Sequence, residues 1–495
     1  MRPARPSRYP LLYQVNTRVY LSELGGQLGG AATLDDIGEG ELNRLAALGF
    51  DWIWFLGVWQ TGAAGRSIAL AEPDLRREYR DALPDFADED VAGSCFAVKE
   101  YAAHADFGGD DALERLRRRV HASGMKLMLD FVPNHTARDH RWVEEHPEYY
   151  VAAAEGQAAR EPRNYGLIET SRGPVVLAYG RDPNFPGWSD TLQLNYANPQ
   201  VCEAMACELE SIAGRCDGVR CDMAMLILPE VFERTWGLRS EPFWPKAIER
   251  VRRVSPDFLF LAEAYWDLEW TLQQQGFDYA YDKRLYDRLR AREPRPVRDH
   301  LRAGLDYQDK LARFLENHDE ARAAAALPWE IHQAAAVVAF LTPGLRFFHH
   351  GQLDGRRVRI PVQLRRGPEE PVEETVREFY QRLLACLQRP APRDGEWRLA
   401  EVAPAWCGNW TWDCFLVWEW RDGDGERLVA VVNYAAHRSQ CYVRVPLPEG
   451  SGAWRLNDVM SGTAYDRDGA DLATRGLYLD LPPWGYHVFE MTPLC

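Results

Sequence analysis

The chain is short of positive charge and nearly devoid of lysine. Its 58 Lys and Arg face 74 Asp and Glu, a formal net charge of −16, and only Lys99, Lys126, Lys246, Lys283 and Lys310 are lysines. That balance argues against a phosphate-backbone partner, so no nucleic acid is expected, and it suits neutral molecules in solution. The lysine deficit reads as codon bias rather than chemistry. No apolar run is long enough to span a bilayer, so no membrane is expected as a partner. The N-terminal MRPARPSRYPLLYQVNTRVYL is basic, but Gln14 and Asn16 interrupt it before a sustained apolar segment forms, so no secretory signal is expected. The ten cysteines contain no CxxC, and Cys202/Cys207 and Cys216/Cys221 lack metal-ligand spacing. Without export a disulfide framework is not expected; the thiols read as small buried hydrophobes in a cytoplasmic protein. No repeat of fixed period occurs.

What is present is core material, at 46% hydrophobic and 12% aromatic residues, enough for a large barrel and a smaller module. Four segments place an ionisable residue just past a short apolar run: MKLMLDFVPNH ending at His135, DGVRCDMAM around Asp222, FLFLAEAYW around Glu263 and ARFLENHDE around Asp319. Such runs read as strands buried on both faces. A parallel βα barrel carries its chemistry at the C-terminal ends of its strands, where these side chains would sit. Arg220, two residues before Asp222 in a strand, faces the same way and favours the ionised carboxylate. The apolar run before Glu263 favours a raised pKa and a retained proton. Paired carboxylates with an attendant Arg and two His suit glycosidic-bond chemistry.

In this order the four segments resemble the signature regions of the α-amylase superfamily, the family-13 glycoside hydrolases. The resemblance runs from about Leu11 to about Gln388 and implies a (β/α)8 barrel with a lobe inserted after strand three and a C-terminal antiparallel β-sandwich. The strand signals agree: LLYQVNTRVYL, DWIWFLGV, MKLMLDFV, CDGVRCD, FLFLAEA, GFDYAYD, LARFLENH and LRFFHHG, with helical stretches between them. Residues 1–133 are expected to form the first part of the barrel, 134–195 the lobe, 196–390 the rest of the barrel and 391–495 the sandwich. Pro390 and Pro392 read as a linker, and DGDGE as a hairpin turn rather than a calcium loop.

By the same resemblance Asp222 is the nucleophile, Glu263 the general acid/base and Asp319 the third catalytic carboxylate, gripping two ring hydroxyls. His135, His318 and Arg220 match substrate-site positions. Tyr265 offers a stacking face, and Phe96 stands near a Tyr that many relatives place under the reacting sugar. Asp130 is expected to order Arg220, and Asn317 to support Asp319. Asn134 matches a calcium ligand of many relatives. Met225 and Leu226 stand where a Lys-His pair is common, which argues against endo-action on long glucans and against bound calcium. No cofactor or metal is required by the chemistry.

The function implied is retaining cleavage of α-glucosidic bonds in maltooligosaccharides or α-glucans. A transglycosylase or isomerase acting on maltose, sucrose or trehalose shares the same carboxylates. A non-catalytic sugar-binding protein on this fold would have no need of Arg220, Asp222, Glu263 and Asp319 together.

Overall fold

The computed structural model describes residues 7–447 and 452–494. The basic stretch read at residues 1–6 lies outside them. Eight parallel strands close a barrel: β1 (Leu11–Asn16), β2 (Trp52–Leu56), β3 (Lys126–Phe131), β4 (Gly218–Cys221), β5 (Leu259–Ala262), β6 (Tyr279–Tyr281), β7 (Leu311–Arg313) and β8 (Leu345–His349). Each strand pairs with its sequence neighbours, and β8 returns to β1. The strands lack hydrophobic–polar alternation because both faces are covered: every residue of β2, β4, β5 and β8 is buried. No helix of the described residues is long and apolar enough to cross a membrane.

The first strand is shorter than LLYQVNTRVYL suggests. Asn16 accepts a hydrogen bond from the Val19 N–H and caps a helix over Thr17–Leu28, so the Thr-Arg-Val-Tyr segment is helical despite its β-branched residues.

Two excursions leave the C-terminal rim. Residues 57–108, between β2 and the helix Gly109–Ala122, hold a hairpin (Trp59–Thr61 with Val98–Ala103) and the helices Ala63–Ala71 and Pro73–Ala82. The sequence marks no such excursion, because its helices resemble those of an ordinary βα repeat. After β3 the chain leaves along His135–Ala137 and returns along Thr191–Gln193, the two paired antiparallel. A hairpin of Tyr165–Ile168 and Val175–Ala178 lies between them.

Beyond the barrel, a six-stranded sheet and a three-stranded sheet enclose a common core that includes Val417, Val431, Cys441, Leu479 and Phe489. The six-stranded sheet contains the hairpin Phe415–Arg421/Arg427–Asn433, turned by the DGDGE segment, where Asp422 Oδ1 accepts the N–H groups of Asp424 and Glu426. The Pro390/Pro392 segment is no free linker. It forms a short helix, Pro390–Asp394, with Ala391 and Pro392 buried, and the Pro392 carbonyl accepts from Arg346 inside the barrel.

Candidate active site

The barrel ladder continues one residue past β4 and β5. The Asp222 N–H donates to the Phe131 carbonyl at 2.8 Å, and the Glu263 N–H to the Cys221 carbonyl at 3.0 Å. Both carboxylates therefore stand on the C-terminal rim, held by backbone rather than by loop packing.

Arg220 joins them. Its side chain is fully buried, with Nη1 donating to Asp222 Oδ1 at 2.6 Å and Nη2 lying 2.7 Å from Glu263 Oε2. Its Nε donates to the Tyr281 hydroxyl at 3.3 Å. The rings of Trp54, Phe96 and Tyr281 surround the guanidinium, their centroids 5.5, 5.2 and 5.6 Å from Cζ. A planar cation with five donors suits this place; a lysine could not reach both carboxylates.

Glu263 Oε2 also accepts the Met223 N–H at 2.6 Å. Met223 adopts φ +43°, a left-handed conformation costing roughly 1–3 kcal/mol for a side-chain-bearing residue. That turn aims its amide back at Glu263. Oε2 thus takes the Met223 N–H and lies beside the Arg220 cation, while Oε1 accepts from the Tyr265 hydroxyl at 3.1 Å.

Burial pushes the Glu263 carboxyl up, Arg220 opposes it, and the Asp222 and Asp319 charges add to the rise, leaving it at about 7. The folded state thus binds a proton that the unfolded chain, with a carboxyl near pH 4.3, releases earlier. Its stabilising contribution is complete below the unfolded value and is lost as pH rises through about 7. Glu263→Gln, which cannot ionise, should be more stable than the parent at pH 8 by roughly 1–3 kcal/mol, with the gap closing toward pH 5. Urea denaturation at the two pH values checks this; an equal gap at both would show that Glu263 does not titrate between them.

Asp319 lies across the cleft, its side chain 44% exposed, with Oδ2 3.0 Å from His318 Nε2. Removal from bulk water would raise its pKa, but His318, aided by Arg220 and Arg359, outweighs this and holds it at about 2. His318 is fixed from behind, its Nδ1 lying 2.8 Å from Gln14 Nε2. Asn317 Oδ1 accepts the N–H groups of Asp319 and Glu320, both at 2.9 Å, and shapes the turn that presents Asp319.

Asp130 makes no hydrogen bond to Arg220. It accepts from Trp54 Nε1 at 3.1 Å and from the Gly57 N–H at 2.6 Å, and its charge acts on the neighbouring Arg220 directly. His135 is buried, which lowers its pKa and keeps it neutral, and its ring lies 5.4 Å from that of Trp188.

Phe96, His135, Asp222, Glu263, Tyr265 and Asp319 share one cleft of about 440 Å³. Arg220, Asp130, Asn317 and His318 stand behind its wall. Cys95 is buried in the barrel interior, leaving Phe96 to face the cleft. Met225 and Leu226 are buried too, in the turn Ala224–Ile227, and do not line the cleft; Met223 does. Trp266, next to Tyr265 and like it an aromatic legible in the sequence, lines the cleft; Asp182, Phe185, Trp188 and Asp190 from the lobe, and Val362 and Gln363 after β8, line it without a signal in the sequence. Burial raises Asp190 to about 6, so a second titrating carboxyl lies in the wall. A polar Gln14 in the apolar run of β1 was the available signal for the support of His318.

This geometry can be set beside known proteins. The alpha-amylase catalytic domain profile matches residues 41–358. The chain belongs to the alpha-amylase family. Family members similar to it include alpha-amylase 3 of Dictyoglomus thermophilum, 23% identical over 297 residues that make up 54% of this chain and 55% of that protein. A second is the trehalose synthase/amylase TreS of Mycobacterium tuberculosis, 26% identical over 285 residues, 53% of this chain and 41% of that one. The chain thus spans about half the length of such relatives. Among solved structures, the noncanonic maltogenic alpha-amylase AmyB of Thermotoga neapolitana superposes with a TM-score of 0.72 at 18% identity, covering 99% of both chains. An alpha-amylase of Lactobacillus plantarum gives 0.66 at 22% identity, covering 98% of this chain and 99% of that one. These likenesses establish the barrel with its C-terminal sheet domain, in a family of glycosidases and related enzymes.

The calcium position of many alpha-amylase family members is filled differently here. Gln193 Nε2 donates to the Asn134 carbonyl and Oδ1, both at 2.9 Å, and to the Leu194 carbonyl at 3.1 Å. An amide nitrogen gathers the oxygens that a cation would need. No group of three or more His, Cys, Asp or Glu among the described residues is arranged to hold a metal ion.

Proposed function

We propose that the protein is a retaining α-glucosidase-type enzyme acting on short maltooligosaccharides or disaccharides. The observation that carries this reading is the single buried guanidinium of Arg220 shared by Asp222 and Glu263 at the strand ends. Two carboxylates on one guanidinium accord with the closer spacing, about 5–5.5 Å, that distinguishes retaining from inverting pairs.

In this reading Asp222 attacks the anomeric carbon as Glu263 Oε1 delivers its proton to the departing glycosidic oxygen. A carboxyl near pH 7 is suited to give that proton and then, as carboxylate, to take one from the incoming hydroxyl. Asp319, oriented by His318 behind it, holds ring hydroxyls, His135 holds another, and Phe96 and Tyr265 present apolar faces to the sugar. The acceptor is water, or a second sugar in the transglycosylase and isomerase alternatives. Relatives of both kinds lie at similar distance.

The preference for short substrates rests on the cleft. Its volume of about 440 Å³ is that of a small-molecule pocket, about 300–1,000 Å³, rather than of a long groove. The lobe and the loop after β8 wall it in. No metal is needed in this reading, and the nine described cysteines, all free thiols, fit a reducing cytoplasm.

The test is a panel of maltose through maltoheptaose, soluble starch, sucrose and trehalose, with product anomers followed by NMR and each assay repeated after chelation. The expected result is retained configuration, a specificity constant that stops rising within the short oligosaccharides, and no effect of the chelator. A constant highest for starch makes the protein an endo-acting amylase. Inverted products exclude the proposed mechanism, and activity lost on chelation and restored by calcium excludes a metal-free site.

A further inference from the structure

A second cleft, of about 770 Å³, opens between the helix Thr17–Leu28 and the excursion of residues 57–108. Arg18, Arg66 and Arg365 line it, with His104 beside them. In a chain of net charge −16 such a cluster is unexpected.

The hydrogen-bond partners of these arginines are uncharged. Arg18, only 6% exposed, donates to the carbonyls of Gly93 and Val362 and to Thr61 Oγ1. Arg66 donates to the carbonyls of Val91 and Asp88. The exposed Arg365 side chain has no ion-pair or hydrogen-bond partner among the described residues. Carbonyl dipoles satisfy the N–H groups of a buried guanidinium but do not neutralise its charge, and an uncompensated buried cation is costly. Burial, with Arg365 as a like charge, lowers the Arg18 pKa. Asp106, on the exposed rim, is the one carboxylate that lines the cleft.

The opposite wall is made of small residues. Gly26, Gly29 and Gly30 line the cleft at its exposed side, where a Cβ would meet nothing within 4 Å. Phosphate is the anion that planar guanidinium forks match best. The cleft is much larger than a phosphate ion and falls within the range of organic-ligand sites. Ser22 and Thr61 also line it.

We infer that this cleft binds a phosphorylated sugar, its phosphate between Arg18, Arg66 and Arg365 and its polyhydroxylated body against the glycine wall. The site adjoins the catalytic cleft: Arg18 grips Gly93 and Val362, and Ser94 and Val362 line the catalytic wall.

Titration calorimetry of the full chain with glucose 6-phosphate, inorganic phosphate and glucose tests this. Glucose 6-phosphate should bind, more weakly as salt rises; phosphate should bind the same site less tightly, and glucose should give no signal there. Arg365→Gln and Arg66→Gln should each weaken glucose 6-phosphate binding by about tenfold. Arg365→Gln removes an exposed, unpartnered side chain, so its folding is not at issue. Three results would overturn the inference: no binding at millimolar concentration, affinity unchanged in both variants, or phosphate binding as tightly as glucose 6-phosphate. The last would leave a simple anion site with no place for a sugar.

Discussion

Asp222→Asn should lower turnover by about a thousandfold or more on every substrate while the far-UV and near-UV spectra stay those of the parent. Asn keeps the shape and can still accept from Arg220 Nη1, so the loss would report the missing nucleophilic oxygen rather than collapse of the site. Glu263→Gln should look similar on a maltooligosaccharide and different on an aryl α-glucoside with an acidic phenol. A leaving group that needs no proton recovers much of the first step in the Gln variant and none in the Asn variant. Near-parental activity of purified Asp222→Asn would remove Asp222 from its role. Equal losses for Glu263→Gln on both substrates would remove Glu263 from proton delivery.

Arg220→Met should have the second large effect, on stability and activity together. The change leaves Asp222 and Glu263 facing each other without the cation that now lies within 2.7 Å of both. Removing one partner of a buried ionic group typically costs about 3–5 kcal/mol. The cost should be greatest at alkaline pH, where both carboxyls would have to ionise, and smaller near pH 5. Arg220 is also the charge that opposes the rise of the Glu263 pKa. Its removal should therefore move the alkaline limb of kcat/KM upward from its parental position near pH 7, on a rate reduced by at least about a hundredfold. Denaturation at two pH values and a pH–rate profile measure both. An alkaline limb that stays in place would mean that another group controls it.

What the sequence revealed of this site was what strand geometry dictates. Arg220, Asp222 and Glu263 were legible because a buried parallel strand must end at the rim, and an ionisable residue there has few reasons to exist apart from chemistry. Asn317, His318 and Asp319 follow the same logic at the end of β7. What loops decide was not legible. The left-handed turn at Met223 has no compositional signal, since glycine or asparagine would be the usual occupant. Met225 and Leu226 seemed to face the leaving group because sequence offset from Asp222 says nothing of a turn that folds them into the core. The excursion of residues 57–108 escaped notice because its helices are as amphipathic as those of the barrel. Asp130 was expected to order Arg220 by the family resemblance; the two are neighbours in register, yet the Asp130 oxygens go to Trp54 and Gly57.

The pairing of His135–Ala137 with Thr191–Gln193 makes the lobe an interchangeable part. Entry and exit lie side by side, so the barrel meets the same narrow gap whatever hangs beyond it, and the intervening chain can lengthen, shorten or be exchanged without moving a barrel strand. His135 belongs to the socket, paired with Gln193 and aligned with Asp222, whereas Asp182, Phe185 and Trp188 belong to the part that plugs in. A new lobe between Ala137 and Thr191 would thus reshape the part of the cleft that Asp182, Phe185 and Trp188 line while leaving Asp222 and Glu263 in register.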